Sequence, residues 1–157
     1  MTKLIISPYS RALRNGKMNP KNIPDEYWTA IVSGLKSKDV YICQIGVHGE
    51  KKIEGVDEFI INQSLKELKK LLDECSIWIS IDNFFQHFAW FYGKPGVVIF
   101  GQSDPLIFGH PENINLLKDR NYLRKGITQY QTWEEVSRND DAFISPEEVI
   151  KTVMNKL

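Results

Sequence analysis

The sequence predicts an α/β protein with a Rossmann-like, doubly wound and mostly parallel sheet of about five to six strands. First, short runs rich in Val and Ile alternate with segments of helical periodicity, which is typical of parallel strands joined by helical crossovers. Second, two apolar runs, Ile77–Ile81 and Val97–Phe100, are joined through an aromatic segment of helical length, and together they predict a buried unit of strand, helix and strand. Third, the predicted strands end in polar or glycine-containing loops, where sheets of this kind bind ligands.

The first half of the chain is predicted to contain three strands and two helices. A long irregular loop, residues 8 to 22, follows the first strand because it holds Pro8, Gly16 and Pro20. The second helix has the clearest start signal, since Ser64 and Glu67 form a capping box. In order, the predicted elements are a strand at Lys3–Ser7, a helix after Pro24, strands at Val40–Ile45 and Asp57–Ile61, and a helix from Ser64 to Cys75.

The second half begins with the strand, aromatic helix and strand described above. Asp82 and Asn83 fall where the helix starts, a position that favours side-chain capping of backbone N–H groups. Ile114–Leu117 is predicted to form a short sixth strand. The segment Thr132–Val136 is predicted to form one or two helical turns, within a region that the pattern leaves otherwise unassigned. Ser145 and Glu148 form a second capping box, with Pro146 at the first helical position of the closing helix.

Composition narrows the class of protein. With 157 residues the chain is predicted to form a single domain, and its 20 basic and 20 acidic residues leave no basic field for nucleic acid. No apolar run is long enough to span a membrane, so we expect a cytoplasmic protein. Cys43 and Cys75 lie within apolar segments and are expected in the core. The three histidines lack the paired spacing of metal ligands, so no metal is expected.

Polar residues at the ends of two neighbouring strands define the candidate site. Asp82 and Asn83 follow one strand, and Gln102, Ser103 and Asp104 follow the next. His87 lies four residues after Asn83 and therefore shares a helix face with it. Loops that connect strands to helices are polar in any α/β protein, so this pattern alone locates a site without identifying its ligand.

Four motifs, in the right order along nearly the whole chain, resemble those of one enzyme family. The first strand and its loop lead to Lys17-Met18-Asn19-Pro20, similar to K-x-W-P, and Ser64-Leu65 matches a G-x-x-S-L helix start. Asp82, His87 and Ala89 match D-[ST]-G-x-x-H-x-A, which is followed by Gly93-Lys94-Pro95 and by Phe100–Pro105 as F-G-x-[ST]-[DS]-P. The closing segment Ile144–Val149 matches I-x-x-E-E-V. The chain thus resembles the C-terminal, nucleotide-sugar-binding domain of heptosyltransferase-like glycosyltransferases, glycosyltransferase family 9, of GT-B architecture.

The resemblance implies a nucleotide-diphosphate sugar as the donor substrate, with no further cofactor and no metal. It places phosphate near Lys17 and the diphosphate and sugar near the segment from Asp82 to His87, with His87 as the best candidate for a catalytic role. A fixed lysine, helix N–H groups and a hydrogen-bonding histidine are donors that would stabilise a diphosphate leaving group. The full set of expected substrate-binding residues is Ser10, Lys17, Asp82, Asn83, His87, Gln102, Ser103 and Asp104.

The resemblance leaves three functions open. No segment matches the acceptor-binding domain of the family, so a transferase would need a separate acceptor-domain partner chain or a homo-oligomer. Phe84, where the family often has glycine, favours instead a non-catalytic nucleotide-binding or interaction module. The opening LIISPYSR is also similar to nucleoside deoxyribosyltransferase-like hydrolases, in which a carboxylate, here from Asp73-Glu74 or Glu134-Glu135, would be the nucleophile.

Overall fold

The computed structural model describes residues 1–36, 39–125, 129–130 and 133–157. Six strands form one parallel sheet, with helices on both faces, so the predicted fold class is confirmed. The elements in chain order are β1 (Thr2–Ser7), α1 (Asp25–Lys36), β2 (Val40–Gly46), β3 (Glu58–Ile61), α2 (Leu65–Glu74), β4 (Ile77–Ile81), α3 (Phe84–Phe91), β5 (Val97–Phe100), α4 (Pro105–Phe108), β6 (Ile114–Leu117) and α5 (Pro146–Met154). Short 3-10 helices lie at Arg120–Tyr122, Trp133–Glu135 and Asp140–Ala142.

The strand order is β3-β2-β1-β4-β5-β6, and all five neighbouring pairs are parallel. Successive strands therefore run outward from β1 to β3 and then, after returning to the centre, from β4 to β6. The order reverses between β1 and β4, which pair in the register Ser7 to Ser80 at their carboxyl ends. In sheets of this topology a crevice opens where the order reverses, because the connecting loops on either side lead to opposite faces.

Alternate residues of each strand enter two hydrophobic cores. In β4, Ile77 and Ile79 face the core covered by α1 and α5, whereas Trp78 faces the core covered by α2 and α3. Gly96 makes room for Trp78, since a β-carbon at that position would lie 2.2 Å from the indole ring. The strands are thus buried on both faces, which explains their nearly continuous apolar sequences.

The predicted helix starts are confirmed where the capping side chain and the backbone N–H that it binds are close in sequence. Both capping boxes are formed, by Ser64 with Glu67 and by Ser145 with Glu148. Cys43 and Cys75 are buried and free, as expected. Of the predicted turn at Thr132–Val136, the part from Trp133 onward contains a 3-10 helix, while Thr132 lies outside the described residues.

The aromatic helix α3 differs from its prediction as a buried segment. Phe85 and Phe88 enter the core, but Phe91 is 75% exposed and Phe84 also faces outward. An eight-residue helix on one face of a sheet can bury only the side that contacts the strands, so its remaining aromatic side chains stay accessible. No helix in the described ranges has the length and apolar character needed to cross a membrane.

Candidate functional site

A cavity of about 720 Å³ opens at the carboxyl edge of the sheet, where the strand order reverses. The loops after β1 and β4 form its centre, the loops after β2 and β3 form one side, and Phe108 of α4 lies on the other. Four of the predicted site residues line it, namely Ser10, Asp82, Asn83 and His87.

Asn83 holds the two central loops together. Its Oδ1 accepts a hydrogen bond from the backbone N–H of Phe85 at 3.0 Å, which caps α3 as expected. Its Nδ2 lies 3.0 to 3.1 Å from three acceptors at the end of β1 and in the loop that follows: the backbone oxygen and Oγ of Ser7, and the backbone oxygen of Tyr9. Ser10 adds a fourth link, donating from Oγ to the backbone oxygen of Asp82 at 2.7 Å. Both predicted residues therefore shape the cavity wall through bonds within the protein.

Asp82 is a buried carboxylate with two partners. Its Oδ1 accepts a hydrogen bond from Gln86 Nε2 at 2.8 Å, and its Oδ2 lies 3.2 Å from Lys21 Nζ. Only 4% of Asp82 is exposed, so its charge depends on these partners for compensation. Lys21, which sequence reasoning did not single out, thus brings a positive charge to the cavity wall beside Asp82.

Lys17, the lysine that the motif comparison selected, is exposed and does not line the cavity. The chain turns tightly before it, with Gly16 at a φ of +78° and its N–H bonded to the backbone oxygen of Leu13. Four residues later Lys21 returns to the cavity, held at its own N–H by Asn19 Oδ1 at 3.0 Å. The sequence contains both lysines, but it does not show which of them reaches the cavity, because turn contacts such as these set the path of an irregular loop.

His87 lies one turn into α3, at the mouth of the cavity. Its Nδ1 is 2.8 Å from Nε2 of His110, a residue that sequence reasoning did not connect with the site. The His110 ring stacks on Trp90, with centroids 4.4 Å apart and the planes 8° from parallel. Partial burial, followed by the neighbouring His110, lowers the pKa of His87, and Asp82 opposes this effect.

Gln102, Ser103 and Asp104 belong to the loop that follows β5, where they are buried and do not line the cavity. Asp104 accepts two hydrogen bonds from Arg120, at 3.1 and 2.7 Å, and also caps α4. The Arg120 guanidinium lowers the pKa of Asp104. Gln102 donates to the backbone oxygen of Ser137 at 3.1 Å. The structure thus shows contacts within the protein for the side chains of Gln102 and Asp104, and ligand binding by these loop residues stays a prediction.

Glu50, which follows β2, is a further cavity residue that sequence reasoning did not select. Its Oε2 accepts a hydrogen bond from the backbone N–H of Val47 at 3.1 Å. Burial raises the pKa of its carboxyl group, and the Val47 bond opposes this shift. The sequence marks Glu50 only as the first acidic residue after a predicted strand, a feature that many loops share.

The carboxylates proposed for a hydrolase lie elsewhere. Asp73 and Glu74 form surface ion pairs with lysines, and neither these two nor Glu134 and Glu135 line the cavity. Within the described ranges, no group of three or more His, Cys, Asp or Glu side chains is arranged to hold a metal ion.

No model of a protein family matches the chain, and no curated protein matches it in sequence. Among solved structures it is similar to a family 9 glycosyl transferase from Veillonella parvula, with a TM-score of 0.75 and 18% identity over 99% of this chain and 46% of the other. It is also similar to the E. coli heptosyltransferase WaaC, solved with ADP, with a TM-score of 0.65 and 14% identity over 99% of this chain and 44% of the other.

A third similar structure is the dodecameric iron-containing heptosyltransferase TibC from enterotoxigenic E. coli, solved with ADP-D-β-D-heptose. Its TM-score is 0.67, with 16% identity over 99% of this chain and 45% of the other. The chain therefore spans a little under half the length of these structures. At such low identity the comparison establishes the fold alone, and at that level it confirms the resemblance to one half of a family 9 glycosyltransferase.

Proposed function

We propose that this chain is the donor-binding half of a glycosyltransferase. A nucleotide-diphosphate sugar binds in the cavity at the carboxyl ends of β1 and β4. The observation that carries this proposal is the cavity itself, about 720 Å³ at the reversal point of the sheet, a size typical of small-molecule sites. Two structures of the same half-fold were solved with ADP or ADP-D-β-D-heptose, which supports the same ligand class here.

The side of the cavity next to β2 and β3 suits a nucleoside. Ile45, Leu65 and Leu68 supply an apolar surface there, which favours the faces of a nucleobase. Glu50 lies on the same side, and its free carboxylate lone pairs can accept hydrogen bonds from ribose hydroxyls. We therefore place the nucleoside on this side.

The side next to α3 suits a diphosphate. Lys21 is fixed by Asp82, Arg11 lies on the same wall, and His87 is at the mouth. The N-terminus of α3 adds a partial positive charge from its backbone N–H groups. When the bond between sugar and diphosphate breaks, negative charge accumulates on the diphosphate, and fixed donors of this kind stabilise it.

Three exposed apolar side chains at the mouth of the cavity favour contact with a second protein surface. Val47 follows β2, Leu65 begins α2 and Phe84 begins α3, and they are 56%, 61% and 58% exposed. A domain that covers them would exclude water from the cavity, which strengthens every electrostatic interaction inside. We propose that an acceptor-binding partner chain, or a second copy of this chain, supplies that surface and the catalytic base.

Calorimetric titration with ADP-, GDP- and UDP-sugars tests donor binding. We expect a Kd below about 1 mM for one of them, and no heat of binding at that concentration would overturn the proposal. Arg11→Ala should weaken binding several-fold without affecting folding, because Arg11 is exposed. Lys66→Ala, which removes an exposed charge on α2 away from the cavity, is the matched control.

A non-catalytic nucleotide-binding or interaction module is the second candidate, and Phe84 favours it. This large side chain follows the cap Asn83 directly and projects outward at the cavity mouth. It leaves less room for a diphosphate than glycine would. Nucleotide-sugar binding without sugar transfer, in the presence of any partner that binds the mouth, would identify the chain as such a module.

A further inference from the structure

His87 and His110 come from separate elements yet meet in a defined geometry. His87 belongs to α3, His110 follows α4, and their Nδ1 and Nε2 atoms are 2.8 Å apart. The backbone oxygen of His110 accepts hydrogen bonds from the Asn113 N–H and from Asn115 Nδ2, both at 3.0 Å. These bonds fix the backbone of His110, and the stacking on Trp90 orients its ring.

A contact of 2.8 Å between two imidazole nitrogens contains one hydrogen. One ring donates and the other accepts, so the accepting nitrogen must be unprotonated. If both rings were fully protonated, two N–H groups and two positive charges would face each other, and the contact would break. The pair therefore holds at most one excess proton while this geometry persists, and its two rings titrate as one coupled unit.

We propose that His87 and His110 form a dyad that shares a single proton, and that His110 is a positioning residue that sets the protonation state with which His87 faces the cavity. The contact between the two rings is present in the ligand-free protein. The dyad rests on the proposed function only for the identity of the anion that His87 would meet.

The charges around the dyad determine when it takes up its proton. Asp82, on the loop before α3, favours a charged His87, whereas Lys21 on the loop before α1 opposes it. Partial burial and His110 also lower the pKa of His87, which disfavours its charged form in the ligand-free protein. A diphosphate placed beside His87 would act in the same direction as Asp82 and oppose the lowering effects, and the proton then acquired would be spread over two rings.

The direct test is a histidine titration by 15N NMR on the ligand-free protein, with EDTA present to remove transition metals. We compare the natural protein with His110→Gln, in which a neutral side chain of similar reach replaces the second imidazole. The pKa of His87 should rise by about half a unit or more in this variant, because the competing ring is gone. His48→Gln is the control, since His48 bonds through its backbone to Asn62 and does not contact the dyad.

The reciprocal variant, His87→Gln, keeps the test decisive if His110→Gln does not fold. It should give the His110 titration the shape of a single independent site. Unchanged titration of each histidine when the other is replaced would overturn the dyad. A merely structural role for His110 would change the melting temperature but leave the His87 titration where it is.

Nucleotide-sugar binding is measured separately, because the diphosphate of these ligands does not change its charge near neutral pH. Calorimetry in two buffers of different ionisation enthalpy should report proton uptake on binding at pH 7, reduced in His110→Gln. Binding without any proton uptake would overturn the link between the dyad and the ligand. A failure to bind would overturn the proposed function, whereas the ligand-free titrations would still decide for or against the dyad.

Discussion

Replacing Asp82 with Asn should lower the stability of the protein and strengthen its binding of anions. The substitution keeps an oxygen that can accept the hydrogen bond from Gln86, now at 2.8 Å, and removes only the charge that faces Lys21. Lys21 would then lie at the cavity without a fixed counter-charge, where a diphosphate could take the place of the carboxylate. The two effects have opposite signs, which separates this interpretation from a general loss of structure.

The size of the effect follows from the geometry of the pair. At 3.2 Å and an effective dielectric constant of about 20, the attraction is about 5 kcal/mol before desolvation is subtracted. Lys21 keeps 20% of its side chain exposed, so water can solvate part of the charge that is left behind. We therefore expect a net loss of about 2 kcal/mol in the free energy of unfolding, below the roughly 3 to 5 kcal/mol lost when a fully buried pair is broken.

Urea denaturation followed by circular dichroism measures the free energy of unfolding, and a scanning experiment should show a fall in Tm of about 4 to 8 °C. Asp73→Asn is the control, since its pair with Lys69 lies on the surface and should contribute less than about 0.5 kcal/mol. If Asp82→Asn were as stable as the natural protein within about 0.5 kcal/mol, the assignment of Lys21 and Asp82 as a buried structural pair would be wrong.

Three further substitutions test the fold around the site. Gly96→Ala should cost about 3 kcal/mol in urea unfolding, because its β-carbon would lie 2.2 Å from the buried Trp78 ring. Asn83→Ala, which removes the α3 cap and the bonds to the loop after β1, should cost about 2 to 3 kcal/mol by the same measurement, and a loss below 1 kcal/mol would contradict the proposed clamp. Arg120 lowers the pKa of Asp104, so their pair stabilises the protein above the ordinary carboxyl pKa of about 3.9, and this contribution is lost as pH falls through the lowered value. Asp104→Asn should therefore flatten the acid side of the stability profile, measured as Tm against pH.

The sequence by itself determined the sheet, most helix boundaries and the edge at which the cavity opens. These follow from signals that act over a few residues. Apolar runs such as Ile77–Ile81 and Val97–Phe100 define buried strands, and the capping box of Ser64 and Glu67 begins α2. The helix α4 escaped prediction because its four residues are too few to establish a periodic pattern.

Only the tertiary structure decided which polar side chains reach the cavity. Lys21 reaches it and Lys17 does not, although both belong to one irregular loop, because the chain turns at Gly16 just before Lys17 and Asn19 Oδ1 then binds the N–H of Lys21. Asp104 is held by Arg120, and His87 meets His110 from 23 residues away. Such pairings depend on where separate elements come to lie after folding, and no local pattern encodes that distance or direction.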